Sequence, residues 1–267
     1  MDSESIPKKE INFSTKPVDV RVFVIIGFLV ILYQIGLFLI KDYEGYDVTE
    51  TGYIVGIGLV AIFAFIAAKE QSNIKIFRNA NIVLGIGFIG LLIGDLAFIY
   101  YEYVLEVDPY PSPFDIGFLL TNAAMIFFVV QIFRFSKLEV DIKRKSILVL
   151  IPIIVTLAYS VTAFVEWGEY DEVSFDVLWG SIFTAGSALS LTFAVLGMSI
   201  FKHSYLREVW LITMAGFFLY SLSDLWYYYL EAFEAYYSTH VVNTMWIASF
   251  LLIIYGLILH RKNNQKN

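Results

Sequence analysis

The residues best placed to do chemistry are two acidic pairs at one spacing, Asp95 with Glu102 and Asp224 with Glu231, each set in a long apolar stretch. Seven residues make nearly two turns of an α-helix, so each pair forms an acidic stripe on one helical face. A carboxylate inside a bilayer-length apolar segment is costly, and by default it marks a functional site. Such groups bind a cation, exchange a proton, or sit protonated and hydrogen-bonded as a lock between helices. Tyrosine clusters follow both aspartates, Tyr100, Tyr101 and Tyr103 in one case and Tyr227, Tyr228 and Tyr229 in the other. They suit a wet apolar boundary or core packing, and they equally suit an aromatic cavity for an organic cation.

The elements that must position these residues follow from composition. With 58% hydrophobic and 18% aromatic residues, the chain falls outside the range of soluble domains and reads as an integral membrane protein. Apolar runs near 22–40, 51–68, 80–104, 113–135, 146–166, 177–201, 208–232 and 240–260 are long enough to cross a hydrocarbon core. They lack the alternation of barrel strands, and lipid offers no partners to exposed backbone, so the expected fold is all-α with eight transmembrane helices. The remaining segments are a polar tail over 1–21, a basic loop over 136–145 and a short tail over 261–267.

Basic residues set the expected orientation. Lys8, Lys9, Lys16, Lys69, Lys75, Arg78, Arg134, Lys137, Lys143, Arg144, Lys145, Lys202, Arg261 and Lys262 gather on one side, and Lys41 stands alone on the other. The positive-inside rule then predicts a multi-pass cell-membrane protein with cytoplasmic N- and C-termini. Behind the net charge of −7 lies an acidic outer face with Asp42, Glu44, Asp47, Glu50, Asp108, Glu169, Asp171 and Glu172, which attracts cations. Trp167, Trp179, Trp226 and Trp246 map near that face as interfacial anchors, and Trp210 near the inner one. There is no cysteine, which excludes disulfides, thiolate nucleophiles and cysteine-bound metal.

Aligning Gly94-Asp95-Leu96 with Ser223-Asp224-Leu225 brings both tyrosine clusters and both acidic pairs together, and a one-residue shift then sets Phe118 on Trp246. The spans therefore read as two four-helix repeats, 22–135 and 146–260, which are parallel because each holds an even number of spans. Asp115 and Asn243 open the fourth and eighth spans, where a side-chain oxygen caps a helix or shapes the rim of a pocket.

The run Tyr110-Pro111-Ser112-Pro113-Phe114-Asp115, continuing to Ile116-Gly117-Phe118-Leu119, resembles a signature of multi-helix membrane sensor domains. Those domains lie N-terminal to diguanylate cyclase (GGDEF) and phosphodiesterase (EAL) domains in bacteria. Gly94-Asp95 and Trp246 match further features of that family, across most of 22–260. Phe118 stands where tyrosine is usual, Asn243 departs in the second half, and neither tail is long enough for an output domain. The resemblance implies a stand-alone sensory module that signals through a partner.

Other chemistries fit less well. An intramembrane aspartyl protease would pair the aspartates around water, but Leu92 and Ser223 stand where its motifs need glycine and tyrosine. A seven-helix zinc hydrolase needs several histidines at one site, yet His203 and His260 lie on the inner side and His240 on the outer. A retinal protein needs a lysine within a span. A cation- or proton-coupled transporter suits paired acids, but the inner halves of the third and seventh spans, such as Ile82-Val83-Leu84, carry little charge. The expectation is thus a non-enzymatic sensor or binding module without cofactor or nucleic-acid partner. Its outward pocket for a cation or small cationic ligand is built from Asp95, Glu102, Asp115, Asp224, Glu231, Asn243, Tyr101 and Tyr228. A cytoplasmic signalling protein is expected at the basic loop.

Overall fold

The computed structural model describes residues 18–40, 48–107, 112–136, 141–167, 173–201 and 207–264. Lys8, Lys9, Lys16, Lys41, Asp42, Glu44, Asp47, Asp108, Tyr110, Pro111, Lys137, Glu169, Asp171, Glu172, Lys202 and His203 lie outside the described residues, as do the side chains of Glu50, Trp167, Arg261 and Lys262. Within them every regular element is a helix, and there is no strand. The helices are α1 (Val20–Ile40), α2 (Val48–Glu70), α3 (Lys75–Ile99), α4 (Ile116–Ser136), α5 (Ile142–Trp167), α6 (Val173–Phe201), α7 (Arg207–Ala232) and α8 (Val241–Asn264). All eight are long and apolar enough to cross a membrane. Several overrun the apolar windows: α3 starts at Lys75 and α5 at Ile142, because a polar helical turn satisfies its backbone in the headgroup region as well as in lipid.

Six helices close a ring in the order α2, α3, α4, α6, α7, α8, with α4 meeting α6 and α8 meeting α2. Outside it, α1 lies on α8 and α5 lies chiefly on α6. Polar contacts fix α1: Gln34 donates to the Thr239 carbonyl at 3.0 Å and accepts from the Thr244 hydroxyl. The face of α1 away from the ring is almost wholly exposed hydrocarbon, as lipid contact demands.

Close backbone approach holds the ring together where lipid supplies no hydrophobic drive. A Cβ on Gly117 of α4 would collide with the Gly90 carbonyl of α3, so the two chains touch directly. Thr121 uses that proximity to donate to the Gly87 carbonyl at 3.0 Å. The interior is then filled by rings. Phe88 meets Tyr220 at 6.2 Å and Phe250 at 6.1 Å between ring centres, while Phe128 meets Phe217 at 5.5 Å and Trp210 at 6.1 Å.

At the acidic end of the bundle, α3 unwinds through a π-helical turn, Tyr100–Val104, and stops at Glu106 with φ 54°, while α7 stops at Glu234 with φ 52°. Both residues adopt the left-handed conformation that ends helices and usually belongs to glycine. In α7 the Ala235 N–H returns to the Leu230 carbonyl at 2.8 Å, satisfying a terminal acceptor.

Candidate functional site

Asp224 is buried on α7, and both of its oxygens have donors. Trp246 of α8 donates its indole N–H to Oδ1 at 2.8 Å, and Ser187 of α6 donates to Oδ2 at 3.1 Å. The network continues inward: Asn122 of α4 donates to Ser187 at 3.3 Å and accepts from Ser190 at 2.8 Å, and Ser190 in turn bonds Ser221 of α7. Four helices are thereby tied to one carboxylate. In a low-dielectric interior such a network is stabilising because each member is satisfied.

Asp95 sits differently. It lies one and two turns beyond Leu91 and Phe88, both fully buried, so it shares the inward face of α3. On α7, Asp224 lies one turn beyond Tyr220, the residue Phe88 meets across the ring. Both aspartates therefore stand above the same aromatic floor. Tyr53 of α2 joins them: it lies within electrostatic reach of both carboxylates, and its hydroxyl hydrogen-bonds that of Tyr220. Its ring meets Trp246 and Phe250, each at 5.3 Å. Yet Oδ2 of Asp95 is buried without any hydrogen-bond partner among the described residues, which is rare for a carboxylate and calls for an explanation.

The other expected site residues spread along the acidic end. Glu231 is half-buried and hydrogen-bonded to Tyr227, whose ring meets Trp246 at 5.5 Å. A chain of contacts thus leads from the end of α7 down to Asp224. Glu102 is exposed on the π-helical turn, and Tyr101 next to it lies 6.4 Å from Phe114. Tyr228, one turn beyond Asp224 on α7, is stacked on Phe183 at 5.8 Å and edge-on to Tyr159 at 6.3 Å.

Asp115 and Asn243 organise the helix starts. Asp115 closes a capping box, taking the Ser112 backbone N–H on Oδ2 at 2.8 Å while the Ser112 hydroxyl receives the Phe114 N–H at 3.2 Å. Trp179 of α6 also donates to Asp115, at 3.3 Å. Asn243 instead ties down the preceding loop, donating to the Ser238 carbonyl at 2.7 Å and accepting from Tyr236 at 3.0 Å.

Sequence reasoning did not single out Tyr53, Asn122, Ser187, Ser190, Ser221 or Tyr220. Their signal is faint: Ser187 and Ser190 share a helical face in an apolar span, and Asn122 is a lone amide in another. Two tryptophans also differ from the interfacial placement expected of them. Trp246 is buried by its bond to Asp224, and Trp210 is a core residue between Phe77 and His260. Trp226 remains exposed. At the basic end the interior is also less purely apolar than expected, since Asn81 donates to Gln71 at 2.8 Å and His260 is buried nearby against Phe77.

The class that the described residues define is an all-helical protein with eight helices long and apolar enough to cross a membrane, the composition of a multi-pass membrane protein. No protein-family model, curated protein or solved structure matches the chain.

Proposed function

We propose that this chain is a membrane-embedded sensor or binding module whose acidic end takes up a cation or small cationic molecule, and that it signals through a cytoplasmic partner. The observation that carries the reading is Oδ2 of Asp95: a buried acceptor without a donor, on the ring's inward face, within electrostatic reach of the Tyr53 phenol, as is the second carboxylate. Burying such a group unpaired is unfavourable, and a bound cation removes the penalty. Asp95 is the primary contact. Asp224 is held in place by its own donors and adds negative potential, while Glu102 and Glu231 draw cations to the mouth.

The bundle is read as two parallel four-helix repeats with cytoplasmic termini. Matched contacts support the duplication: Phe118 meets Phe183 between α4 and α6 at 6.3 Å, and Trp246 meets Tyr53 between α8 and α2 at 5.3 Å. Likewise Gly56 of α2 abuts Phe250 of α8, as Gly186 of α6 abuts Asn122 of α4. The left-handed residues Glu106 and Glu234 end corresponding helices. Ligand entry shifts how one repeat packs on the other, and the basic segment 134–145 passes that shift to the partner. The aromatic filling below the aspartates favours a blind pocket over a through-route.

Binding is tested by calorimetry on protein in lipid nanodiscs, titrated with a panel of inorganic and organic cations. At least one cation is expected to bind, and Asp95→Asn is expected to weaken it. Absence of binding by every cation overturns the reading, and cation flux across proteoliposomes would replace it with transport. Because the chain has no cysteine, single cysteines introduced near either terminus report its side of the membrane directly.

A further inference from the structure

We propose that the occupant of the Asp95 site is a small organic ammonium ion carrying N–H donors, and not a metal cation. The inference rests on the binding reading above and names the ligand's chemistry. Three observations carry it. The first is the supply of acceptors: Asp224 has donors on both oxygens, so the site's open anionic acceptor is Oδ2 of Asp95. One carboxylate matches a singly charged guest that brings its own hydrogen-bond donor.

The second observation is the shortage of further ligands for a metal. Calcium takes about six to eight oxygens, magnesium demands octahedral geometry, and potassium exchanges its hydration shell for several carbonyls. Among the described residues no group of three histidine or carboxylate side chains is placed to hold a metal ion. Under the proposed duplication, with Gly56 matched to Gly186 and Trp246 to Phe118, the positions that correspond to the polar Ser187 and Asn122 are Ile57 and Phe250, hydrocarbon where the other half carries oxygen.

The third observation is the aromatic wall. Tyr53, within electrostatic reach of Asp95, meets Trp246 and Phe250 at 5.3 Å each, and Phe250 meets Phe88 at 6.1 Å. Rings attract an organic cation through their quadrupoles and pack on its alkyl group, whereas a small hydrated metal ion gains little there. Asp95 then accepts an N–H from the ammonium while the rings hold the carbon end.

The test titrates nanodisc-embedded protein with n-butylammonium, tetramethylammonium, potassium and magnesium chlorides, following heat and tryptophan fluorescence. Butylammonium is expected to bind at least about tenfold more tightly than tetramethylammonium, since only the former supplies an N–H to the carboxylate, and both more tightly than either metal. Asp95→Asn should weaken butylammonium by at least about tenfold, and Asp95→Glu should recover part of the loss. Equal binding of the two ammonium ions overturns the hydrogen-bond assignment. Potassium or magnesium binding as tightly as butylammonium overturns the ligand class yet leaves the cation-binding reading intact, and no binding by any probe removes both. Should Asp95→Asn fail to yield monodisperse protein, the order of affinities on the unaltered chain still decides.

Discussion

Trp246 donates its indole N–H to Oδ1 of Asp224 at 2.8 Å, joining α8 to α7 inside the ring. Under the proposed duplication Asp95 takes the matching place, and the residue aligned with Trp246 is Phe118, which has no N–H to give. One aspartate is thereby locked and its counterpart left open. Two acids that look equivalent along the chain are expected to respond oppositely to substitution.

Trp246→Phe keeps most of the aromatic packing but leaves Oδ1 buried without its donor. The expected loss is about 1–3 kcal/mol, read as a lower midpoint in denaturant-induced unfolding in detergent. Combined with Asp224→Leu, the indole substitution should lose part of its effect by about 0.5 kcal/mol or more, because the two groups share one bond. Strict additivity would deny that the bond matters.

Asp95→Leu removes a buried acceptor that has no protein donor, so without ligand the variant should be as stable as the parent or more so. Cation binding is expected to disappear in the same variant. This is the stability–function exchange typical of binding sites. A drop of the unfolding midpoint in ligand-free buffer would mean that Asp95 already has a structural partner.

Glu106 and Glu234 end α3 and α7 in a left-handed conformation that disfavours any residue with a Cβ. Glu234→Gly should therefore stabilise the protein by about 1 kcal/mol, and Glu234→Ala should not. Thermal unfolding of the two variants side by side separates backbone relief from loss of charge. A gain in the alanine variant equal to that in the glycine variant would point to charge repulsion instead.

His240 lies just before the span that begins at Val241, buried against Trp226 at 5.2 Å and Tyr237 at 5.0 Å between ring centres. Burial holds its imidazole below the usual histidine range, and Nδ1 accepts the Val242 N–H at 3.2 Å, which only the unprotonated nitrogen can do. The unfolded chain therefore takes up this proton more readily than the folded one. Stability is expected to hold above the ordinary histidine pKa of about 6.5 and to decline as pH falls below it. Melting curves between neutral and mildly acidic pH should show a smaller decline in His240→Asn, and an equal decline would remove His240 as the cause.

The basic face of the bundle offers a test of the proposed signalling through a partner. Lys143→Glu with Lys145→Glu, on the exposed first turn of α5, should abolish capture of a cytoplasmic partner by the nanodisc-embedded protein while leaving cation affinity within about twofold, since charges more than a Debye length apart are screened. A parallel loss of cation affinity would place the two events in one site.

Much of this architecture is determined by the sequence alone, for a physical reason. Lipid forces every spanning backbone into helices, so the length and position of apolar runs predict α1 to α8 almost without tertiary information. The acidic pairs are legible in the same way, because a charge within hydrocarbon stands out against its neighbours. What the chain order does not contain is which faces turn inward, and that depends on packing. Gly117 against Gly90, Gln34 on α8 and the closure of α8 on α2 set the rotation of each helix. Only that rotation makes Trp246 a partner of Asp224 instead of a headgroup anchor, recruits Asn122, Ser187 and Tyr53 from three other helices, and leaves Oδ2 of Asp95 without a donor among the described residues. Local composition reports the solvent each segment meets; the partner each side chain finds is decided by long-range contacts between segments far apart in the chain.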